Sequence, residues 1–180
     1  MNFKIACLIL CFVPAMKAQS WQQIVAERLP LYGHRNWIVV ADSAYPAQSR
    51  AGIETVVSGA GQMDVLKQVL SALAASRHVR PIVYTDRELK FVPEQDAPGI
   101  RQYRQQLGAL LKGRPVQSLP HEEIISKLDQ AGQTFRVLII KTNLTIPYTS
   151  VFLQLDCAYW SAEAESKLRA AMAAQTGTSR

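Results

Sequence analysis

Residues 32–49 read YGHRNWIVVADSAYPAQS, and the reading of this stretch decides how the rest of the chain can be arranged. A polar opening, Gly33-His34-Arg35-Asn36, runs into the short apolar segment Trp37 to Ala41. That segment is rich in β-branched residues, too short for a helix and bounded by turn formers, so it reads as a buried strand. Pro46 then blocks easy continuation of either kind of element. His34 precedes the strand and Asp42 ends it. At about 3.3 Å per residue, extended chain holds these two side chains roughly 25 Å apart. One site using both requires a chain that folds back or a second subunit that supplies one of them.

Working outward, Ser20 can cap a helix from Trp21 to about Leu31, with Ile24, Val25 and Leu29 on one face and Gly33 as its stop. On the other side, a strand from Gly52 to Val57 leads through Ser58-Gly59-Ala60-Gly61 into a helix from Gln62 to Ala75. Val65, Leu66, Val69, Leu70 and Leu73 form its apolar stripe. A strand from Arg80 to Thr85 closes on Asp86, and a loop covers Lys90 to Ala97. An amphipathic helix follows from Pro98 to Leu111, then a short strand from Val116 to Leu119. Pro120 and His121 open a helix carrying Ile124, Ile125 and Leu128. Phe135 to Lys141 is an apolar strand, TNLTIPYTS a turn, Val151 to Ala158 a last strand, and a helix begins at Ser161. Alternating strands and helices argue α/β layering. The last two strands are joined by a link too short for a crossover helix, so the sheet should be mixed, though mostly parallel. At 180 residues, with no internal repeat and no linker, the expectation is one layered α/β/α domain.

The opening MNFKIACLILCFVPAMKAQS has a positive start at Lys4, an apolar run from Ile5 to Val13 and a small residue, Ala18, before Gln19. It reads as a cleaved secretory signal over residues 1–18, leaving a domain over 19–180 that is exported to the periplasm or secreted, with no membrane attachment after cleavage. The apolar run is short for a membrane span. Neither Cys7 nor Cys11 follows the small residue that lipoprotein processing requires. Cleavage leaves 18 basic against 14 acidic side chains, a net charge of +4, scattered along the chain and so no signature of nucleic acid. It also leaves Cys157 without an intramolecular disulfide partner, in an apolar run that favours a buried, inert thiol.

Gly59 and Gly61 follow a strand and open a helix, and Asp86 ends the next strand, which are parts of a dinucleotide fingerprint. Asp64 stands where the third glycine belongs, and its carboxylate would repel a pyrophosphate; tight-turn glycines explain the pattern without a ligand. His34, His78 and His121 are far apart and share no ligand spacing, and His78 in SRHVR reads as a solvated helix end, so no metal or other cofactor is implied.

Three pieces remain: GHRNWIVVADSAYPAQS, Pro120-His121-Glu122, and TNLTIPYTS with the strand after it. The glycine–histidine, the strand ending in aspartate eight residues later, the Pro-Ala-x-Ser after it and the late Pro-Tyr-x-x before an apolar strand resemble the ribose pyranase and fucose mutarotase family, from about Trp21 to Trp160. The resemblance implies a layered α/β fold, a ring-shaped homo-oligomer with sites at subunit interfaces, and a ribose- or fucose-like monosaccharide as partner. It makes His34 the proton-donating histidine, Asp42 the sugar-binding aspartate and His121 the binding histidine of the ribose type. Tyr148, Thr149 and Ser150 match the family's Tyr-x-Asn turn. Departures are Ser150 in place of asparagine, Arg35-Asn36 where Gly-Asp is usual, and about five extra residues between His121 and Tyr148.

The chemistry suits these residue types. Interconverting anomers, or pyranose with furanose, needs a proton on the ring oxygen and loss of one from the anomeric hydroxyl. An imidazole gives and takes a proton near neutrality at similar cost. The expectation is a cofactor-independent isomerase; the rival is an exported sugar-binding protein of the same fold without catalysis.

Overall fold

The computed structural model describes residues 19–176; the expected signal segment lies outside the described residues. Helix α1 (Trp21–Arg28) is closed at its start by Ser20, whose hydroxyl accepts from Gln23 N–H while the Gln23 side chain accepts from Ser20 N–H. The helix expected as far as Leu31 tightens into a 3₁₀ turn over Leu29–Leu31, because Pro30 cannot donate to the α-helical ladder. The remaining elements follow in order: β1 (Trp37–Ala41), β2 (Ile53–Val57), α2 (Gln62–Ala75), β3 (Val79–Asp86), a 3₁₀ turn (Arg87–Lys90), α3 (Ile100–Leu110), β4 (Val116–Leu119), α4 (His121–Thr134), β5 (Val137–Lys141), β6 (Val151–Cys157) and α5 (Ala162–Thr176). Among the described residues no helix is long and apolar enough to cross a membrane.

The six strands form one sheet in the order β2-β5-β1-β6-β3-β4. Every pairing is parallel except those of β6, which runs antiparallel to both β1 and β3. The mixed, mostly parallel sheet therefore comes from the short link after β5, as its length demanded. β5 and β6 are not neighbours, however. β1 lies between them, so residues 142–150 must pass over the C-terminal end of β1.

Alternation along the strands sorts the core into two layers. Ile38, Val40, Leu138 and Ile140 face α1, α2 and α3. Trp37, Val39, Val137 and Ile139 face α4 through Ile124 and Leu128. With both faces covered, the central strands read as continuous apolar runs. Helix α4 approaches β2 so closely that a Cβ on Gly52 would lie 2.5 Å from the Gly132 carbonyl oxygen.

Two minor expectations are corrected. His78 is not solvated: its Nδ1 contacts Ser76 Oγ at 2.9 Å, and its Nε2 lies 3.2 Å from the Leu29 and 3.0 Å from the Tyr32 carbonyl oxygens. Nε2 thus donates to the turn leading to His34, and this pinning explains why a polar helix end folds inward. Cys157 ends β6 half-buried rather than buried, since the strand there reaches the rim of the core.

Replacing Gly52 by Ala should destabilise the fold by about 1–3 kcal/mol, because the neighbour in the way is backbone. A lower urea midpoint with unchanged slope is the expected reading.

Candidate functional site

Strand direction places the chemistry. β1, β2 and β5 are mutually parallel, β6 opposes β1 and β3, and β3 is parallel to β4. The C-terminal ends of β1, β3, β4 and β5 and the N-terminal end of β6 therefore share one rim of the sheet. Asp42, Asp86, His121 and Ser150 all follow, end or precede those strand ends. The carboxyl rim of a largely parallel sheet is where ligands bind in open α/β folds.

Residues 142–150 are tied to β1 by a clasp. The Asp42 N–H donates to Ser150 Oγ at 3.2 Å, and the Ser150 hydroxyl donates to Asp42 Oδ2 at 2.9 Å. Asp42 Oδ1 accepts from the Ala44 N–H at 2.9 Å, which closes the turn into Tyr45. Below the clasp lies Gln62, 3 % exposed. Its amide donates to the Val40 and Thr149 carbonyl oxygens, and its Oε1 accepts from the Thr142 hydroxyl at 2.7 Å. The Tyr103 hydroxyl also donates to the Thr149 oxygen. Burial pushes the Tyr103 phenol well above its ordinary value, so it remains a proton donor. The glycine turn before α2 thus seats Gln62 in the core. β2 is moreover an edge strand, whereas the first strand of a dinucleotide fold is central.

The second half of the site faces outward. Tyr148 is 40 % exposed and holds a left-handed backbone with φ 57°, a conformation few non-glycine residues adopt. Its ring meets that of His121 edge to face, with centroids 5.7 Å apart. Both Glu88 carboxylate oxygens accept from the His121 N–H at 3.1 Å, capping α4 at its first residue. His121 Nδ1 lies 3.1 Å from Asp86 Oδ1, within reach of an ion pair or a bent hydrogen bond, and among the described residues no other group hydrogen-bonds either Asp86 oxygen. Asp86 is 1 % exposed, and burial raises its carboxyl from 3.8 to about 6, against the opposing pull of His121.

Of the residues singled out from sequence, the structure brings Asp42 to Ser150 and His121 to Tyr148, joined through the Tyr148-Thr149-Ser150 backbone. Thr149 is fully buried, with its hydroxyl donating to the Ile146 oxygen, so its side chain shapes the turn. His34 stands apart. It is exposed in the turn before β1, at the opposite rim, with the length of the strand between it and Asp42. Asp86, Gln62, Glu88 and Tyr103 were not identified from sequence as parts of this site. Asp86 had a signal as the acid ending a strand, but that pointed to the nucleotide reading.

Residues 21–158 match the model of the RbsD / FucU transport protein family. The chain belongs to that family. No curated protein matches the chain. Among solved structures, Bacillus subtilis RbsD complexed with D-ribose has 21 % identity and a TM-score of 0.54, over 78 % of this chain and 98 % of that one. The fucose mutarotase of Streptococcus pneumoniae in complex with L-fucose has 19 % identity and a TM-score of 0.50, with the same shares covered. FucU from Bifidobacterium longum has 19 % identity and a TM-score of 0.50, over 74 % and 92 % of the two chains. At such identities the likeness carries the fold of this RbsD / FucU chain.

Two outcomes are expected. Gln62→Leu should cost about 1–3 kcal/mol by removing the buried amide that links the Val40 and Thr149 carbonyls to the Thr142 hydroxyl, measured by urea unfolding. Because the folded state raises the Asp86 carboxyl, that group's contribution to stability is complete below about pH 3.8 and is lost as pH rises through about 6. Unfolding curves between pH 4 and 8 should show that decline in the wild type, with a shallower decline in Asp86→Asn.

Proposed function

We propose that this protein is a monosaccharide mutarotase or pyranase of the RbsD / FucU family, acting on a ribose- or fucose-like sugar. The observation that carries the reading is the rim arrangement, in which Asp42 bonds to Ser150 and His121 packs against Tyr148, two residues before Ser150 on the same turn. Membership of the family and the sugars bound by the structures above support it. In this reading Asp42, His121 and Tyr148 hold the sugar hydroxyls, the Thr149–Ser150 turn completes the clamp, and an imidazole moves the proton between ring oxygen and anomeric hydroxyl. That imidazole is His34, and it comes from a second copy of the chain.

The surface supports such an arrangement. Leu31, three residues before His34, is 76 % exposed; Phe91, just after the 3₁₀ turn that follows Asp86, is 77 % exposed. An apolar residue near each rim suits a head-to-tail contact, and contacts of that kind close into rings where the rotation between copies allows. The ring then completes each site with the neighbour's histidine, and catalysis needs no cofactor. Export after removal of residues 1–18 belongs to the same proposal and rests on the sequence of that segment.

One observation favours the rival reading of sugar binding without catalysis: the Ser150 hydroxyl is already spent on Asp42, where an asparagine amide would have further donors. Calorimetry showing sugar binding without faster exchange would select that rival.

His34→Gln should lower catalysed anomer exchange by about 10²–10⁴-fold in NMR saturation transfer, with the fold intact. Mixing His34→Gln with Tyr148→Ala subunits should restore part of the exchange, since some interfaces then pair an intact histidine with an intact rim. Exchange unchanged in His34→Gln removes that residue from the mechanism, and mixtures that stay inactive refute the shared site.

A further inference from the structure

The mutarotase reading leaves Asp86 without a task. Its position is dictated by register: Asp86 pairs with Leu119 across β3 and β4, and Pro120 and His121 follow at once. The chain therefore delivers His121 to the buried carboxylate. Helix capping does not explain the acid, because Glu88 already takes the His121 N–H with both oxygens. Nor does hydrogen bonding elsewhere, since among the described residues neither Asp86 oxygen has a partner other than the adjacent His121 Nδ1. Among the described residues its one ion-pair partner is His121. The other titratable groups acting on or beside it are Glu88 in the 3₁₀ turn, Asp42 after β1, and the Tyr45 and Tyr103 phenols. Glu88 and Asp42 are acids that oppose its ionisation. A buried carboxylate with no satisfied oxygen burdens the fold, and such arrangements gather at functional sites.

His121 is held on three sides: its main chain by Glu88, its ring edge to face with Tyr148, and its Nδ1 beside Asp86. Nδ1 is buried although 31 % of the side chain is exposed, so the exposure belongs to its other atoms. A neutral imidazole has one protonated and one lone-pair nitrogen, and the group beside one nitrogen decides which is which. We propose that Asp86 is a positioning residue for the sugar site: it keeps the His121 proton on Nδ1 and so leaves Nε2 as an acceptor for a sugar hydroxyl. The sugar half of this inference rests on the mutarotase reading; the tautomer half does not.

The expected consequence for binding is specific. Nε2 as an acceptor adds a contact that complements Asp42, also an acceptor, so sugar hydroxyls donate in both directions. An asparagine at position 86 can itself offer a hydrogen to Nδ1, which moves the ring proton to Nε2 and turns the acceptor into a donor. A hydrogen bond made equally in ground and transition states affects KM rather than kcat. Below about pH 6, where burial places the Asp86 carboxyl, a protonated Asp86 can offer its own hydrogen to Nδ1, and the acceptor at Nε2 should be lost.

The test is ¹⁵N NMR of the His121 ring in the sugar-free protein at pH 8, followed by exchange kinetics with D-ribose and L-fucose. Expected are Nδ1–H in the wild type and in Asp86→Glu, Nε2–H in Asp86→Asn, and a KM about tenfold higher in Asp86→Asn with kcat much less changed. An Nε2–H tautomer in the wild type, or a tautomer untouched by Asp86→Asn, overturns the proposal. If Asp86→Asn does not fold, the wild-type tautomer and its pH series still decide the matter. A correct tautomer in a protein that neither binds nor interconverts either sugar refutes the acceptor role and the mutarotase reading together, leaving Asp86 as the setter of the His121 tautomer alone.

Discussion

The link from β5 to β6 governs this structure. It is too short to carry a helix, yet it must clear β1, so it lies across the end of that strand and is bound to it. Asp42 and Ser150 exchange hydrogen bonds there, and Thr142 donates to the Ala41 carbonyl one step further in. Gln62 anchors the link from below with an amide that satisfies two carbonyls and a hydroxyl. An isolated amide in the core would be costly; with its partners in place it fixes one arrangement of the turn. Tyr148 is carried on that turn in a left-handed conformation, so its outward aim depends on the same clasp.

The electrostatics of the rim follow from this packing. Asp42, Asp86 and Glu88 end or follow strands at one edge, and each is answered differently. Asp42 is satisfied by a hydroxyl and a backbone N–H, and Glu88 by the start of α4. A negative group at a helix N-terminus is stabilised by the free amide groups and the helix dipole. Among the described residues Asp86 has only the His121 imidazole, and burial, which that one partner does not offset, raises its carboxyl. The rim is thus a gradient from well-satisfied to unsatisfied acids, with the histidine at the unsatisfied end.

The two rims of the sheet carry different groups. One holds the acids, His121 and Tyr148; the other presents His34 on an exposed turn that His78 pins from beneath. A single copy cannot bring them together, because the sheet is rigid along β1 and fully packed on both faces.

How much was legible beforehand can be traced residue by residue. Apolar periodicity and turn residues located each strand and helix to within a few residues, since burial on one or two faces writes itself directly into sequence. The short link after β5 predicted a mixed sheet, and the Pro-Tyr turn and the two histidines marked the family. Pro30, by contrast, shortened α1 locally, and His78 turned inward because the carbonyls of a distant turn needed a donor. Gln62, Asp86 and Glu88 could not be assigned from their neighbours in sequence, because their partners lie 80, 35 and 33 residues away. The sequence by itself determined the layering, the strand polarity and the inventory of acid–base groups. Only the tertiary structure decided which of them share a rim, because strand order and register, set by packing across the sheet, bring together residues that local pattern leaves apart.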